Sequence, residues 1–248
     1  MRLYLNDTEF IETNEPLDIS LPLQANENNV RAWYVDPPRF EPVRTSAFTG
    51  AVAEGGSTNF RDVYFNPHGH GTHTECCGHI TPEVFSVNDR LKTYFFKATL
   101  VSILPKKIEN GDEVIFADQF PTNFDSAYGE ALIIRTLPNV DYKHSKNYSD
   151  TNPAYLDISC MEIIETLGVQ HLLIDLPSVD RESDEGKLVF HHAFFDVPEK
   201  PNFKTITELV FVNDSISDGN YILELQFAPF ENDASPSRPV LYRIQKKG

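Results

Sequence analysis

Apolar and polar residues alternate along Leu17-Asp18-Ile19-Ser20-Leu21-Pro22-Leu23 with a period of two, the pattern of a half-buried strand. Pro22 places that strand at a sheet edge or near its own end, because proline cannot donate to a ladder. Residues 24–45, polar and then Asp36-Pro37-Pro38, read as an irregular loop. That loop carries the only tryptophan, Trp33, followed by Tyr34; such aromatics either fill a core or, on a long loop, cover a site. Ser46 to Glu54 and Phe60 to Asn66 read as two strands joined by Gly55-Gly56-Ser57. Ala98 to Leu104 forms another strand, halted by Pro105, and a short one is expected within Val114 to Ala117.

Ala131-Leu132-Ile133-Ile134-Arg135-Thr136 begins with a continuous apolar run, as in a strand buried on both faces. After a polar loop over 138–157, in which His144 is a surface residue, Ser159-Cys160-Met161-Glu162 has capping-box spacing. With the stripe Ile163, Ile164, Leu167 and the stop at Gly168, this predicts a helix over 159–167. Val169 to Leu176 is again strand-like, so the three elements form a β-α-β unit, with His171 a satisfied core or edge histidine. Pro177-Ser178-Val179-Asp180 is then a loop at the strand's C-terminal end, where α/β proteins tend to place function. A short helix over Lys187 to Phe195 carries His191 and His192. Thr205 to Val212 and Tyr221 to Ala228 read as paired strands across Asp218-Gly219-Asn220. Glu208 is the odd member of its strand: a carboxylate there must face solvent, be paired, or meet a cation.

These elements give an α/β protein, and 248 residues at 40% hydrophobic content suffice for one compact domain over 1–248. The formal charge of −16 would repel nucleic acid and anionic membrane surfaces. No apolar run approaches the roughly 20 residues needed to cross a bilayer, and the first residues lack a signal peptide's apolar core. Three cysteines, two of them the adjacent Cys76 and Cys77, suit a reducing compartment. A soluble cytoplasmic protein is expected.

The densest chemistry lies in Asn66 to His79, which holds four of the eight histidines, two cysteines and Glu75. Imidazoles and a carboxylate on a glycine-rich loop are what a divalent transition metal requires. His68, His73 and Glu75 fall within eight residues, close enough to wrap one ion, and His79 lies four beyond Glu75.

The sequence resembles the metal-dependent cyclase family that includes kynurenine formamidase (arylformamidase) and isatin hydrolase. Its signature, His-x-Gly-Thr-His-x-Asp-x-Pro-x-His, is followed in register from Gly71-Thr72-His73 through Glu75 and Cys77 to His79. Further ordered matches are Leu17-Asp18-Ile19-Ser20, Asp175 to Asp180 against Asp-x-x-Ser-x-Asp, His191 to Phe195, Ile206-Thr207-Glu208-Leu209, and Ser235-Pro236-Ser237-Arg238. Three positions depart from the pattern. The first histidine should fall at Gly69, so either His68 serves through a one-residue bulge, the preferred reading, or His70 serves through a rearranged loop. Glu75 replaces aspartate. Cys77 replaces proline, as a small buried side chain or an additional ligand.

The resemblance implies a barrel-like mixed sheet with flanking helices, of the swivelling β/β/α type. It implies one or two divalent ions, Zn²⁺ first and Mn²⁺ second, held by His68, His73 and Glu75, with His191 and Glu208 completing the set or holding the second ion. His191 is favoured over His192 because it aligns Phe194 and Phe195 with the family's paired leucines. His79 takes the acid/base position. The implied reaction is hydrolysis of an aryl formamide or small cyclic amide by a homodimer or larger assembly. A cysteine hydrolase using Cys76 or Cys77, and a non-catalytic metal-binding descendant, are the readings to be tested against it.

Overall fold

Nine strands make the central sheet of the computed structural model, which describes residues 1–247. In chain order they are β1 (Leu17–Asp18), β2 (His73–Glu75), β3 (Phe95–Ile103), β4 (Ala131–Thr136), β5 (His171–Ile174), β6 (Thr205–Glu208), β7 (Gly219–Glu224), β8 (Ala234–Pro236) and β9 (Val240–Arg243). Their order across the sheet is β8-β2-β6-β5-β4-β3-β7-β9-β1. The middle strands β6, β5, β4 and β3 run parallel, and antiparallel strands extend the sheet on both sides. The sheet curls into a half-barrel, as the implied fold class requires.

The run in β4 explains the layering. Leu132 and Ile134 point into one core with the helices α1 (Met161–Leu167) and α2 (Val189–Phe195), while Ala131 and Ile133 point into a second core with Leu100, Leu223 and Leu241. Both faces are dry, which is why the sequence shows no alternation there. The β-α-β unit is present, with Ala131 opposite His171 in parallel register. Its helix is prefaced by a 3₁₀ turn, so the cap is Asp157, accepting from the Ser159 N–H, rather than Ser159; Gly168 ends it at φ 71°. His171 is a core histidine: it is buried, packs on Phe96 at 4.0 Å, and its Nδ1 bonds the Thr205 hydroxyl at 2.8 Å.

Several local pairings differ from expectation. Arg61–Tyr64 is a strand, yet its partner is Arg39–Pro42 from inside the supposed loop. Val52–Glu54 forms a 3₁₀ turn ending in Gly55 at φ 87° instead of a strand. β6 and β7 do not pair with each other: β6 lies between β2 and β5, and β7 between β3 and β9. A strand buried on both faces needs a ladder partner along each edge, and a hairpin turn supplies only one of them. β1 is shorter than its alternating pattern suggests and is, as Pro22 implies, an edge strand.

Candidate metal centre

Three adjacent strands position the site. β2 lies between β6 and β8, in a register that sets His73 directly opposite Glu208 and Glu75 opposite Ala234. Cross-strand partners share a face, so residues 135 positions apart in sequence are brought together by the ladder alone. β6 ends immediately after Glu208, where Leu209 turns to φ 54°. Helix α2 brings His191, and the turn Cys77–His79 brings His79. Gly71, at φ 149°, lets the chain enter β2 with its carbonyl facing His73.

The three inner imidazoles share one arrangement. His73 Nδ1 donates to the Gly71 carbonyl at 2.9 Å, a group that can only accept, so Nε2 of the neutral ring is the lone-pair nitrogen. That Nε2 has no hydrogen-bond partner and lies 3.4 Å from Glu208 Oε2. His191 Nδ1 is held by Asp180 Oδ2 at 2.7 Å, and its Nε2 faces Glu75 Oε1 at 2.9 Å. His68 Nε2 meets Asp233 Oδ2 at 2.8 Å, leaving Nδ1 3.0 Å from Glu75 Oε2. That last contact is out of line for a hydrogen bond, so the buried Glu75 Oε2 is also unpartnered. Each ring is anchored by its outer nitrogen and presents its inner one to a carboxylate, the arrangement by which proteins orient metal-binding histidines.

The charges agree. Burial disfavours an ionised Glu75, yet His79, His191 and His68 around it hold it well below the usual carboxylate range. Burial likewise opposes charge on His68 and His191, but Asp233 and Glu75 lift the first to about 10, and Asp180 and Glu75 lift the second to about 10. The carboxylates therefore draw positive charge into the pocket, as protons on the imidazoles or as a cation on their free nitrogens. The donor set fits a divalent ion: the ligand atoms of His68, His73 and Glu75 lie within 4.8 Å of one another, as do those of Glu75, His79 and His191. Imidazole and carboxylate suit zinc, manganese and iron alike.

Above these groups is a pocket of about 370 Å³ walled by Trp33, Val35 and Leu188 and floored by His68, His191 and Glu208, with His79 at its exposed side. The Trp33 loop thus borders the site. Glu208 is 3% exposed, so it meets histidines rather than solvent. His70 lies apart, its Nδ1 accepting from the Asn66 N–H and its Nε2 donating to the Asp36 carbonyl, both at 2.7 Å. His192 contacts the Val197 carbonyl at 3.2 Å, outside the cluster, because successive helical residues face different directions. Cys77 is buried in the core beneath α1 and α2 and belongs to none of the metal-capable groups.

Two carboxylates escaped the sequence reading. Asp180 was marked by its place in a loop after β5 and by the Asp-x-x-Ser-x-Asp match, but was given no role; here it caps His191 through both the ring and the backbone N–H. Asp233 carried no signal beyond preceding Ser235-Pro236; it reaches His68 because β8 pairs with β2.

A mixed sheet carrying a buried histidine–carboxylate pocket makes this an α/β protein with a candidate metal site, and comparison narrows the class. Residues 17–181 match the family model described as "Putative cyclase", and the chain belongs to that family. Among solved structures it is similar to a potential metal-dependent hydrolase with cyclase activity, at 14% identity and TM-score 0.62 over 92% of this chain and 98% of that one. An isatin hydrolase bound to the product analogue thioisatinate is 12% identical, with TM-score 0.62 over 93% of each chain. Isatin hydrolase A from Labrenzia aggregata, bound to benzyl benzoate, is 11% identical, with TM-score 0.62 over 92% of this chain and 93% of that one. At such identities the likeness is one of fold. No curated protein matches the chain.

Proposed function

We propose that this protein is a metal-dependent hydrolase cleaving an amide-type C–N bond in a small molecule, either an aryl formamide such as N-formylkynurenine or a small cyclic amide such as isatin. One observation carries the reading: three anchored imidazoles turn their inner nitrogens onto the buried carboxylates Glu75 and Glu208, and His73 Nε2 and Glu75 Oε2 are left without a hydrogen-bond partner, a need that a cation meets. His68, His73 and Glu75 would hold the ion, Zn²⁺ before Mn²⁺, with His191 and Glu208 completing the set or holding a second ion. A bound divalent ion lowers the pKa of water from 15.7 to about 7 and polarises a carbonyl. The family resemblance adds a homodimer or larger assembly, which light scattering would measure, and the free, buried cysteines suit a cytoplasmic location.

The chain's own groups supply the rest. Trp33, Val35 and Leu188 form an apolar wall suited to a flat ring, with the histidine–carboxylate cluster below it. His79, on the exposed side, has Nε2 4.0 Å from Glu75 Oε2 and is free to take a proton from water and return it to the departing nitrogen. Such acid–base help is worth roughly 10²–10⁴ in rate. His79→Ala should therefore lower turnover by about that factor while the protein keeps its metal. If metal content fell in step with activity, His79 would be a ligand instead.

The cysteine reading loses its basis: Cys76 and Cys77 are both fully buried, and burial pushes the Cys76 thiol up to about 12, so neither is a ready nucleophile. A metal-loaded preparation assayed against N-formylkynurenine, isatin and simple lactams tests the proposal. The expected result is hydrolysis that a chelator stops; stoichiometric metal with no turnover of any of them would favour the non-catalytic descendant.

A further inference from the structure

We propose that Asp233 is a positioning residue for two rings at once, setting His68 as a ligand and His79 as a base; this rests on the metal-dependent reading above. Its Oδ2 lies 2.8 Å from His68 Nε2 and 3.4 Å from His79 Nδ1. The two rings stack on each other, with centroids 4.1 Å apart and planes at 28°. A carboxylate offers only acceptors, so each ring must place its N–H toward Asp233. The tautomers follow. In its neutral form His68, whose hydrogen bond goes to Asp233 and not to Glu75, has its lone pair on Nδ1, 3.0 Å from Glu75, and neutral His79 has its lone pair on Nε2, toward the same carboxylate. One oxygen thereby aims both the ligand and the proton acceptor; the ligand atoms of His68, His79 and Asp233 also lie within 4.8 Å of one another, but Asp233 is beyond the His68 ring from Glu75, so toward an ion at Glu75 it acts through the rings.

Asp233 is itself held by backbone on both sides. Its carbonyl accepts from the Cys76 N–H at 3.0 Å, and the Asn232 carbonyl accepts from the Val87 N–H at 2.8 Å. The next residue, Ala234, sits opposite Glu75 in the β8–β2 ladder. A side chain at position 78 would crowd it: a Cβ on Gly78 would stand 3.3 Å from the Asp233 Cβ. A surface carboxylate needs none of this scaffolding. A group orienting two functional rings does.

The test uses the full chain as wild type, Asp233→Asn, Asp233→Ala and Asp233→Glu. Zn²⁺ affinity is measured by calorimetry, and histidine ring ¹⁵N signals are read above the rings' titration range, with and without Zn²⁺. Loss of an outer carboxylate on a metal-binding histidine costs about 10–100-fold in affinity. Asp233→Ala should weaken zinc binding by that factor and shift His79 from the Nδ1–H form toward a mixture of tautomers. Asp233→Asn, of the same shape, controls for misfolding and should move both readouts in the same direction, while Asp233→Glu restores part of each. Zinc affinity within about threefold of wild type in both the Ala and Asn variants, or an unshifted His79 signal, overturns the proposal. Failure of the wild type to bind zinc would count against the metal-dependent reading instead, and the metal-free ¹⁵N signals would still decide the role of Asp233.

Discussion

His73 and Glu208 show how a single pair can mark a candidate site. The strand ladder fixes both backbones, Gly71 fixes the His73 tautomer, and the result is a lone pair facing a carboxylate in a buried setting. A chain selected for stability alone would place a donor there. Glu208→Gln supplies one: its Oε1 still accepts from the Val179 N–H, now 3.2 Å from Glu208, while its amide can donate to His73 Nε2. We therefore expect Glu208→Gln to stabilise the metal-free protein by about 1 kcal/mol, read as a higher Tm. The same change should weaken zinc binding at least tenfold in calorimetry. A lower metal-free Tm would mean that the carboxylate is there for folding. The sequence marked Glu208 as anomalous, but whether it met solvent, a partner or a cation depended on the identity of the opposite residue. At His68 and His70 the glycines made either side chain able to turn inward, and only the backbone partners of His70, the Asn66 N–H and the Asp36 carbonyl, settle where its ring goes.

The short elements carry more of the site than the long ones. The turn Cys77–His79 works because Gly78 has no side chain; a Cβ there would stand 2.2 Å from the Phe85 carbonyl oxygen, which is backbone and cannot swing aside. Gly78→Ala must displace the turn, and the adjacent His79 with it. Its expected cost in stability is about 1–3 kcal/mol. Its cost in turnover should be larger, about 10²-fold, since displacements near 1 Å at catalytic groups reduce rates by that order. Comparing kcat at saturating metal with the melting temperature separates the two, and a kcat within twofold of wild type would show the turn to be pliant. Element types were legible where the pattern was strong, as in the continuous apolar run of β4 and the apolar stripe of helix α1. Strand partners were not. Local turn chemistry suggested two hairpins, at Gly55 and at Gly219, and burial on both faces overrode the second while an exposed ribbon with Arg39–Pro42 replaced the first.

Across the whole molecule, His171 offers a test away from the site. Burial pushes its ring down to about 4, against an ordinary value near 6.5 in the unfolded chain. Between those values the unfolded chain binds the proton and the folded one does not. Its contribution to stability is present above pH 6.5 and is lost as pH falls toward 4, by about 3 kcal/mol in total. Urea denaturation at pH 7 and pH 4.5 should show that loss in the wild type and a smaller one in His171→Gln. Equal slopes with pH in the two proteins would place the acid sensitivity elsewhere.

The chain by itself determined what depends on local order: the β-α-β unit from its periodicities, the glycine stops from backbone freedom, and the metal-capable stretch from residue types packed into Asn66 to His79. Family membership followed from the same ordered motifs. Tertiary structure alone decided which strands are neighbours, because that follows from burying both faces of a sheet rather than from any one segment. Through that choice it set Glu208 against His73 and Asp233 against His68 and His79, pairings that span more than a hundred residues and leave no periodic trace in the sequence.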